Sequence, residues 1–229
     1  MDFFIINIMY SVKFENENII VVCKPQGLVT EPAENDDSSL ITEMISDYGP
    51  DLRLCHRLDR NTGGLVIVAK NDAIYEKVVA LMDTNDIKKR YNALVFGKIA
   101  PRTAAKDGFV TLTAYHFKDS KRGQVFIYDQ PRKLTKKIIT RYRVDDYSPD
   151  KDISHVTIEL LTGRTHQIRA QFAHIGNPVV GDGKYGKNAL NRKMKYKYQA
   201  LFATEIFFSK KAAKSLGTPA EIKCEAEYK

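Results

Sequence analysis

The residues best suited to chemistry stand in one run, His56-Arg57-Leu58-Asp59-Arg60-Asn61-Thr62-Gly63-Gly64, which leads into an apolar stretch ending at Lys70. Asp59 lies between two arginines and just ahead of a Gly-Gly pair. Fixed geometry and surrounding positive charge suit a carboxylate that works as an anion, as a nucleophile does, rather than as a proton donor. Taken alone, an Asp beside arginines is more often a loop ion pair, so the rest of the chain has to separate the two readings. A second run, Leu161-Thr162-Gly163-Arg164-Thr165-His166-Gln167-Ile168-Arg169, joins a strand to a helix. Gly163 is predicted to make the turn and Thr165 to cap the helix, which buries Ile168, Phe172 and Ile175. His166 and Arg169, three apart, are predicted to share a face away from that stripe. Near a helix N-terminus, Arg169 suits a carboxylate or a phosphate. Beyond it, the segment from Gly176 to Gly186 holds four glycines and Pro178, the mark of a definite loop path. Asp182 within it is expected to serve an Asx-type turn.

These residues need a scaffold, and the pattern points to strands. Asn18–Lys24, Gly64–Lys70, Tyr91–Gly97, Gly108–Thr113, Gln124–Tyr128, Ile138–Val144, His155–Leu161 and Leu201–Phe208 all read as strands. Helices are fewer. One follows Asp37-Ser38-Ser39 and carries Leu40, Ile41, Met44 and Ile45; another follows Asn71 or Asp72 and carries Ile74, Val78, Leu81 and Met82. A terminal amphipathic helix is expected around Lys210–Lys214. Many strands at hairpin spacing, without regular strand–helix alternation, predict an α+β fold on a large, mostly antiparallel sheet.

The chain has 229 residues, 43% hydrophobic and 28% charged, with a net charge of +8. That composition is globular, and the basic balance points toward a polyanion, nucleic acid first. Cys23, Cys55 and Cys224 are too few and scattered for a disulfide framework or a zinc site, and reduced thiols fit a cytoplasmic setting. No apolar run reaches the length of a membrane span, and Met1–Tyr10 lacks the charge and cleavage pattern of a signal peptide. Residues 1–11 are therefore expected to be an N-terminal extension, with the start at Met1 or at Met9.

Four motifs then occur in order: His56-Arg57-Leu58-Asp59-Arg60, Tyr91-Asn92-Ala93-Leu94-Val95-Phe96-Gly97, Gly163-Arg164-Thr165-His166-Gln167-Ile168-Arg169 and Pro178-Val179-Val180-Gly181-Asp182. Together they resemble the RluA-type pseudouridine synthases, which isomerise uridines in ribosomal or transfer RNA, and the resemblance runs from about Val12 to about Ser209. It implies a single catalytic domain over 12–229 with the bent sheet of that family. It implies that Asp59 is the essential carboxylate, that Tyr91 packs against the target base, and that Arg169 pairs with the aspartate. Arg57 would fill the space the extruded uridine leaves. Arg60, Arg164, His166 and Gln167 would support RNA binding. Three departures stand out: Gly63 where a serine is usual, Phe202 where a histidine is usual, and no room for the S4-type domain of many relatives.

Pseudouridine formation breaks the N1–C1′ bond and rejoins the uracil through C5, so no redox cofactor and no metal is expected. A carboxylate can stabilise or bond to the electron-poor C1′ centre, as in glycosidases; attack on C6 and removal of the 2′ proton stay open beside it. The target base must flip out of its stack, at a cost of about a few kcal/mol that RNA contacts have to offset. Candidate contacts are Lys88-Lys89-Arg90, Lys118 with Lys121-Arg122, Arg132 through Arg143 with Lys136 and Lys137 foremost, and Arg192–Tyr198, where aromatics interleave with charge. The expected partner is a ribosomal or transfer RNA stem-loop, met by a monomer. A metal-dependent nuclease would need clustered carboxylates or a phosphate-binding Lys-Ser/Thr loop, and the chain offers neither pattern. A fold retained for RNA binding alone would not need Asp59, Tyr91 and Arg169 all intact.

Overall fold

Strands dominate, as the β-branched runs require. The computed structural model describes residues 10–32 and 38–228. In chain order it contains β1 (Ser11–Glu15), β2 (Ile19–Lys24), α1 (Leu40–Tyr48), β3 (Arg53–Leu54), β4 (Gly63–Ala69), α2 (Asp72–Asp83) and β5 (Ile87–Phe96). Next come β6 (Val110–Asp119), β7 (Gln124–Tyr128), β8 (Lys136–Ser148), β9 (Ile153–Leu160), α3 (Gln167–His174) and α4 (Asn188–Lys193). The chain closes with β10 (Leu201–Phe208), α5 (Lys210–Leu216) and β11 (Glu221–Lys223). The fold is α+β with a large, mostly antiparallel sheet, as predicted.

The chain divides into two units. One is formed up to Ile87 together with Glu205–Glu225, the other by Lys88–Thr204 together with Ala226 to the C-terminus. In the first, β2 pairs antiparallel with β1 and β4, in a register that sets Lys24 opposite Gly64. β4 is buried at all seven positions, which is why it reads as a continuous apolar run rather than an alternating one. Leu65 and Ile67 from β4 pack in one core with Val78 and Leu81 of α2, Ile206 of β10 and Leu216 of α5. Helix starts follow their caps: Ser39 and Thr42 form a reciprocal capping box on α1, and Asn71 accepts from the Ile74 amide at 2.9 Å on α2. Asp37, part of the predicted α1 cap, lies outside the described residues, as does most of the predicted extension. Its last residues belong to this unit, since Tyr10 is buried and Ser11 begins β1.

The second unit is an antiparallel run of neighbours, β5–β9–β8–β6–β7. Register places Tyr91, Ile158, Tyr142 and Val110 in one row. Tyr142 of that row meets Phe172 of α3 edge-on, with ring centroids 5.6 Å apart, so α3 covers this face. The adjacent row, Arg90–Glu159–Arg141, projects to the opposite face. There the guanidinium groups of Arg141, Arg143 and Arg90 surround the Phe109 ring at 4.8, 5.3 and 5.9 Å. Several strands run longer than predicted: β5 starts at Ile87, β6 extends to Asp119 and β8 covers Lys136–Ser148. The start of α3 is corrected too. Its N-cap is His166, not Thr165; His166 sits in the left-handed region (φ 52°) and makes no side-chain cap. α3 is also buried at every position from Gln167 to Phe172, so it presents no solvated basic face.

Candidate active site

Asp59 belongs to the first unit, on a turn closed by the Thr62 amide donating to the Asp59 carbonyl at 3.0 Å. The segment after β2 clamps this turn. Thr30 Oγ1 accepts from the Leu58 amide at 3.1 Å and donates to the Leu58 carbonyl at 2.7 Å. The Gly27 amide donates to the Arg60 carbonyl at 2.9 Å, and Gln26 Nε2 donates to the Asn61 carbonyl at 3.0 Å. Beneath lies a residue the sequence reading passed over. Lys24 is fully buried, and its Nζ donates to the carbonyls of Pro25, Leu28 and Arg60 at 2.9, 2.7 and 3.1 Å. Burial pulls its pKa down to about 7; the charges of Asp59 and Cys23 act upward against this, and Arg60 adds to the lowering. A lysine at a strand end ordinarily reads as a solvated terminus. The signal was its position directly before Pro25, a few residues from Gly27, where the chain must turn inward.

His56 Nε2 accepts from the Ile67 amide at 3.2 Å. This contact fixes the motif to β4. Arg57 is exposed and pairs with Glu31 at 2.6 Å. Arg60 is exposed as well.

Tyr91, Arg169 and the other candidates belong to the second unit. Tyr91 is buried on β5, opposite Ile158. Arg169 is 8% exposed on α3, and its Nε and Nη2 reach the two carboxylate oxygens of Asp182 at 2.7 and 3.0 Å. Asp182 is fully buried and also accepts from the Lys184 and Tyr185 amides at 2.8 and 3.0 Å. Burial alone would push its carboxyl up; Arg169 and the two amides more than offset this and hold it below the usual carboxylate value. Asp182 thus makes the predicted Asx-type turn and, in addition, holds Arg169. The glycines around it are steric requirements, since a Cβ at Gly181 (φ 77°) would fall 2.0 Å from the Tyr198 carbonyl oxygen and one at Gly186 2.2 Å from that of Asp182.

Gln167 departs from the expectation of an RNA contact. It is 2% exposed. Its Oε1 accepts from Thr162 Oγ1 and the Arg164 amide, while its Nε2 donates to Thr140 Oγ1 and the Ile139 carbonyl. Its amide is used up inside the protein, where it holds the strand-to-helix turn. Arg164 and His166 stand beside it, Arg164 exposed and His166 half-buried. The basic clusters separate in the same way. Arg90 and Arg141 share Glu159, Arg141 also pairs with Asp107, and Arg143 pairs with Asp145. Tyr196 packs against the core of Phe96, Ile153, Val180 and Ala200. Lys136 and Lys137 are exposed, and among the described residues neither takes an ion pair. Phe202, where a histidine was expected, is buried with its ring edge-on to Tyr228 at 5.5 Å, an apolar contact in place of a polar one.

Comparison with known proteins bears on the whole arrangement. The family described as RNA pseudouridylate synthase matches residues 18–174. An uncharacterised RNA pseudouridine synthase of Mycoplasma genitalium is 37% identical over 211 residues, covering 86% of this chain and 62% of the relative. Ribosomal large subunit pseudouridine synthase D of Buchnera aphidicola is 34% identical over 188 residues, covering 79% of this chain and 55% of that protein. The chain spans about three fifths of the length of the first curated relatives it matches. Human RNA pseudouridylate synthase domain containing 1 has the same fold, with a TM-score of 0.71 at 24% identity over 96% of this chain and 83% of that one. A match over most of the chain, taking in the Asp59 turn and the Arg164–Arg169 run, means that the chain belongs to the RNA pseudouridylate synthase family, as the RluA-type order of its motifs implied.

Proposed function

We propose that this protein is an RNA pseudouridine synthase in which Asp59 is the catalytic carboxylate. The observation that carries the reading is the clamp on the Asp59 turn: four side-chain and main-chain groups of one segment hold the residues on either side of it. Such preorganisation suits a carboxylate that must meet one carbon of a flipped nucleotide. In the reaction the N1–C1′ bond breaks, the uracil turns, C5 bonds to C1′, the C5 proton leaves and N1 gains one. Asp59 stabilises the electron-poor C1′ centre, Tyr91 supplies a ring for the base, and Arg169 is the basic residue that serves the reaction with them. Arg57, Arg60, Arg164 and His166, with Lys136 and Lys137, contact the RNA. The relatives named for the ribosomal large subunit make ribosomal RNA the first target to test, with transfer RNA second.

Asp59→Ala is expected to abolish pseudouridine formation, mapped in total RNA from cells with and without an active gene copy, while RNA binding and thermal stability persist. Undiminished modification by the Ala variant would refute the assignment.

A further inference from the structure

The glycine-rich loop was singled out by its composition, yet the reaction described so far uses none of its side chains beyond Asp182. Tyr185, in the same loop, touches both members of the α3 motif. Its hydroxyl lies 2.9 Å from His166 Nδ1, and the two rings meet edge-on with centroids 5.6 Å apart. Its ring face lies under the Arg169 guanidinium, 5.4 Å from Cζ to centroid. Its hydroxyl oxygen also accepts the Val125 amide of β7 at 3.1 Å, and its own amide donates to Asp182 at 3.0 Å. The residue is therefore anchored at both ends, by β7 at its hydroxyl and by Asp182 at its amide, before it meets either partner. His166 needs such an anchor, because it sits at φ 52° and makes no cap to α3.

We propose that Tyr185 is a positioning residue for the RNA-modifying reaction: its hydroxyl sets the ring of His166, and its ring face sets the plane of the Arg169 guanidinium beside Asp182. The proposal rests on the function proposed above. It gives the loop a defined task, namely transmitting the rigidity of β7 and the Gly181–Gly186 turn to the two motif side chains.

The hydroxyl and the ring can be removed separately. Tyr185→Phe keeps the ring but loses the hydroxyl's contacts to His166 and the Val125 amide, and through the lost His166 contact is expected to lower RNA affinity about fivefold. Tyr185→Leu removes the ring as well and is expected to slow the single-turnover rate about thirtyfold, the scale of a desolvated cation–π contact. The deciding measurement is a double-mutant cycle of Tyr185→Phe with His166→Ala, read in RNA affinity and in single-turnover rate. If the hydroxyl acts through His166, its removal has no further effect in the His166→Ala background. An equal loss in both backgrounds, or a change in thermal stability alone, overturns the proposal. The Phe cycle decides even if the Leu variant does not fold. Wild type and Asp59→Ala are run alongside. No turnover by wild type on any RNA defeats the parent reading and this proposal with it, whereas normal wild-type turnover with an additive cycle defeats this proposal alone.

Discussion

Two buried cations, one in each unit, are held in opposite ways. Lys24 sits among three backbone carbonyls, neutral acceptors that satisfy its N–H groups without cancelling its charge. Arg169 sits on an ionised carboxylate, Asp182, in a two-pronged pair. The consequence is chemical. A lysine among neutral dipoles drops to about 7 and becomes able to titrate near neutrality. A guanidinium facing a carboxylate stays charged at any working pH and lowers the pKa of its partner as well. The first unit thus underpins the Asp59 turn with a proton-sensitive cation, and the second holds its Asp182 loop with a permanent one.

The comparison breaks most visibly at Asp182. Asp182→Ala takes away the carboxylate facing Arg169 and the acceptor of two amides, which is expected to destabilise the protein by about 3–5 kcal/mol. Urea unfolding at pH 7 measures it, and a loss below about 1 kcal/mol would mean that the pair behaves like a surface one. The pair also has an acid limit. The Asp182 carboxyl is lowered in the fold, so its contribution is present at neutral pH and disappears as pH falls through the lowered value.

Lys24 gives the next largest effect, with the same pH sense but in a higher pH range. The unfolded lysine keeps its proton to about 10.5 while the folded one gives it up near 7. Between those values the unfolded chain binds more protons, so stability rises with pH by up to about 1.4 kcal/mol per unit. Lys24→Met should remove that component. Unfolding free energies of wild type and variant at pH 7 and pH 9.5 give the test, and parallel pH dependence in the two would show that Lys24 does not titrate in this range.

The same contrast explains what was legible in the sequence. β2, β4, β7 and β10 carry dense β-branched and aromatic runs and were placed within a residue or so, and Ser39 and Asn71 announced their helices by side-chain chemistry. β1 and β11 escaped because they are short: β1 alternates only Val12 and Phe14 with polar residues, and four of its five positions are exposed. Motif order marks Asp59, Tyr91 and Arg169 as candidates, but supports of the Asp59 turn and of Arg169 lie far off along the chain. Asp182 is 13 residues beyond Arg169, and Lys24 is 36 residues before the Arg60 carbonyl it holds. Long-range pairing also misdirected the account of charge. Arg141 and Arg143 look like RNA contacts in a basic stretch, and only the β8–β9 register reveals Glu159 across from Arg141. Composition counts cations, whereas the fold decides which of them are already neutralised.

An exposed cation completes the series. Arg57 and Glu31 form a pair as short as the buried one, 2.6 Å, but their side chains are 64% and 42% exposed. Water screens both charges, so distance alone confers little, and Glu31→Gln is expected to change stability by no more than about 0.5 kcal/mol. Its effect should appear in binding instead. Removing the internal carboxylate leaves Arg57 available to a phosphate, so the variant is expected to bind RNA no more weakly than wild type and with a steeper salt dependence. Affinity measured at two salt concentrations checks this. A large stability loss in Glu31→Gln would erase the distinction between screened and unscreened pairs on which the ordering Asp182, Lys24, Glu31 depends.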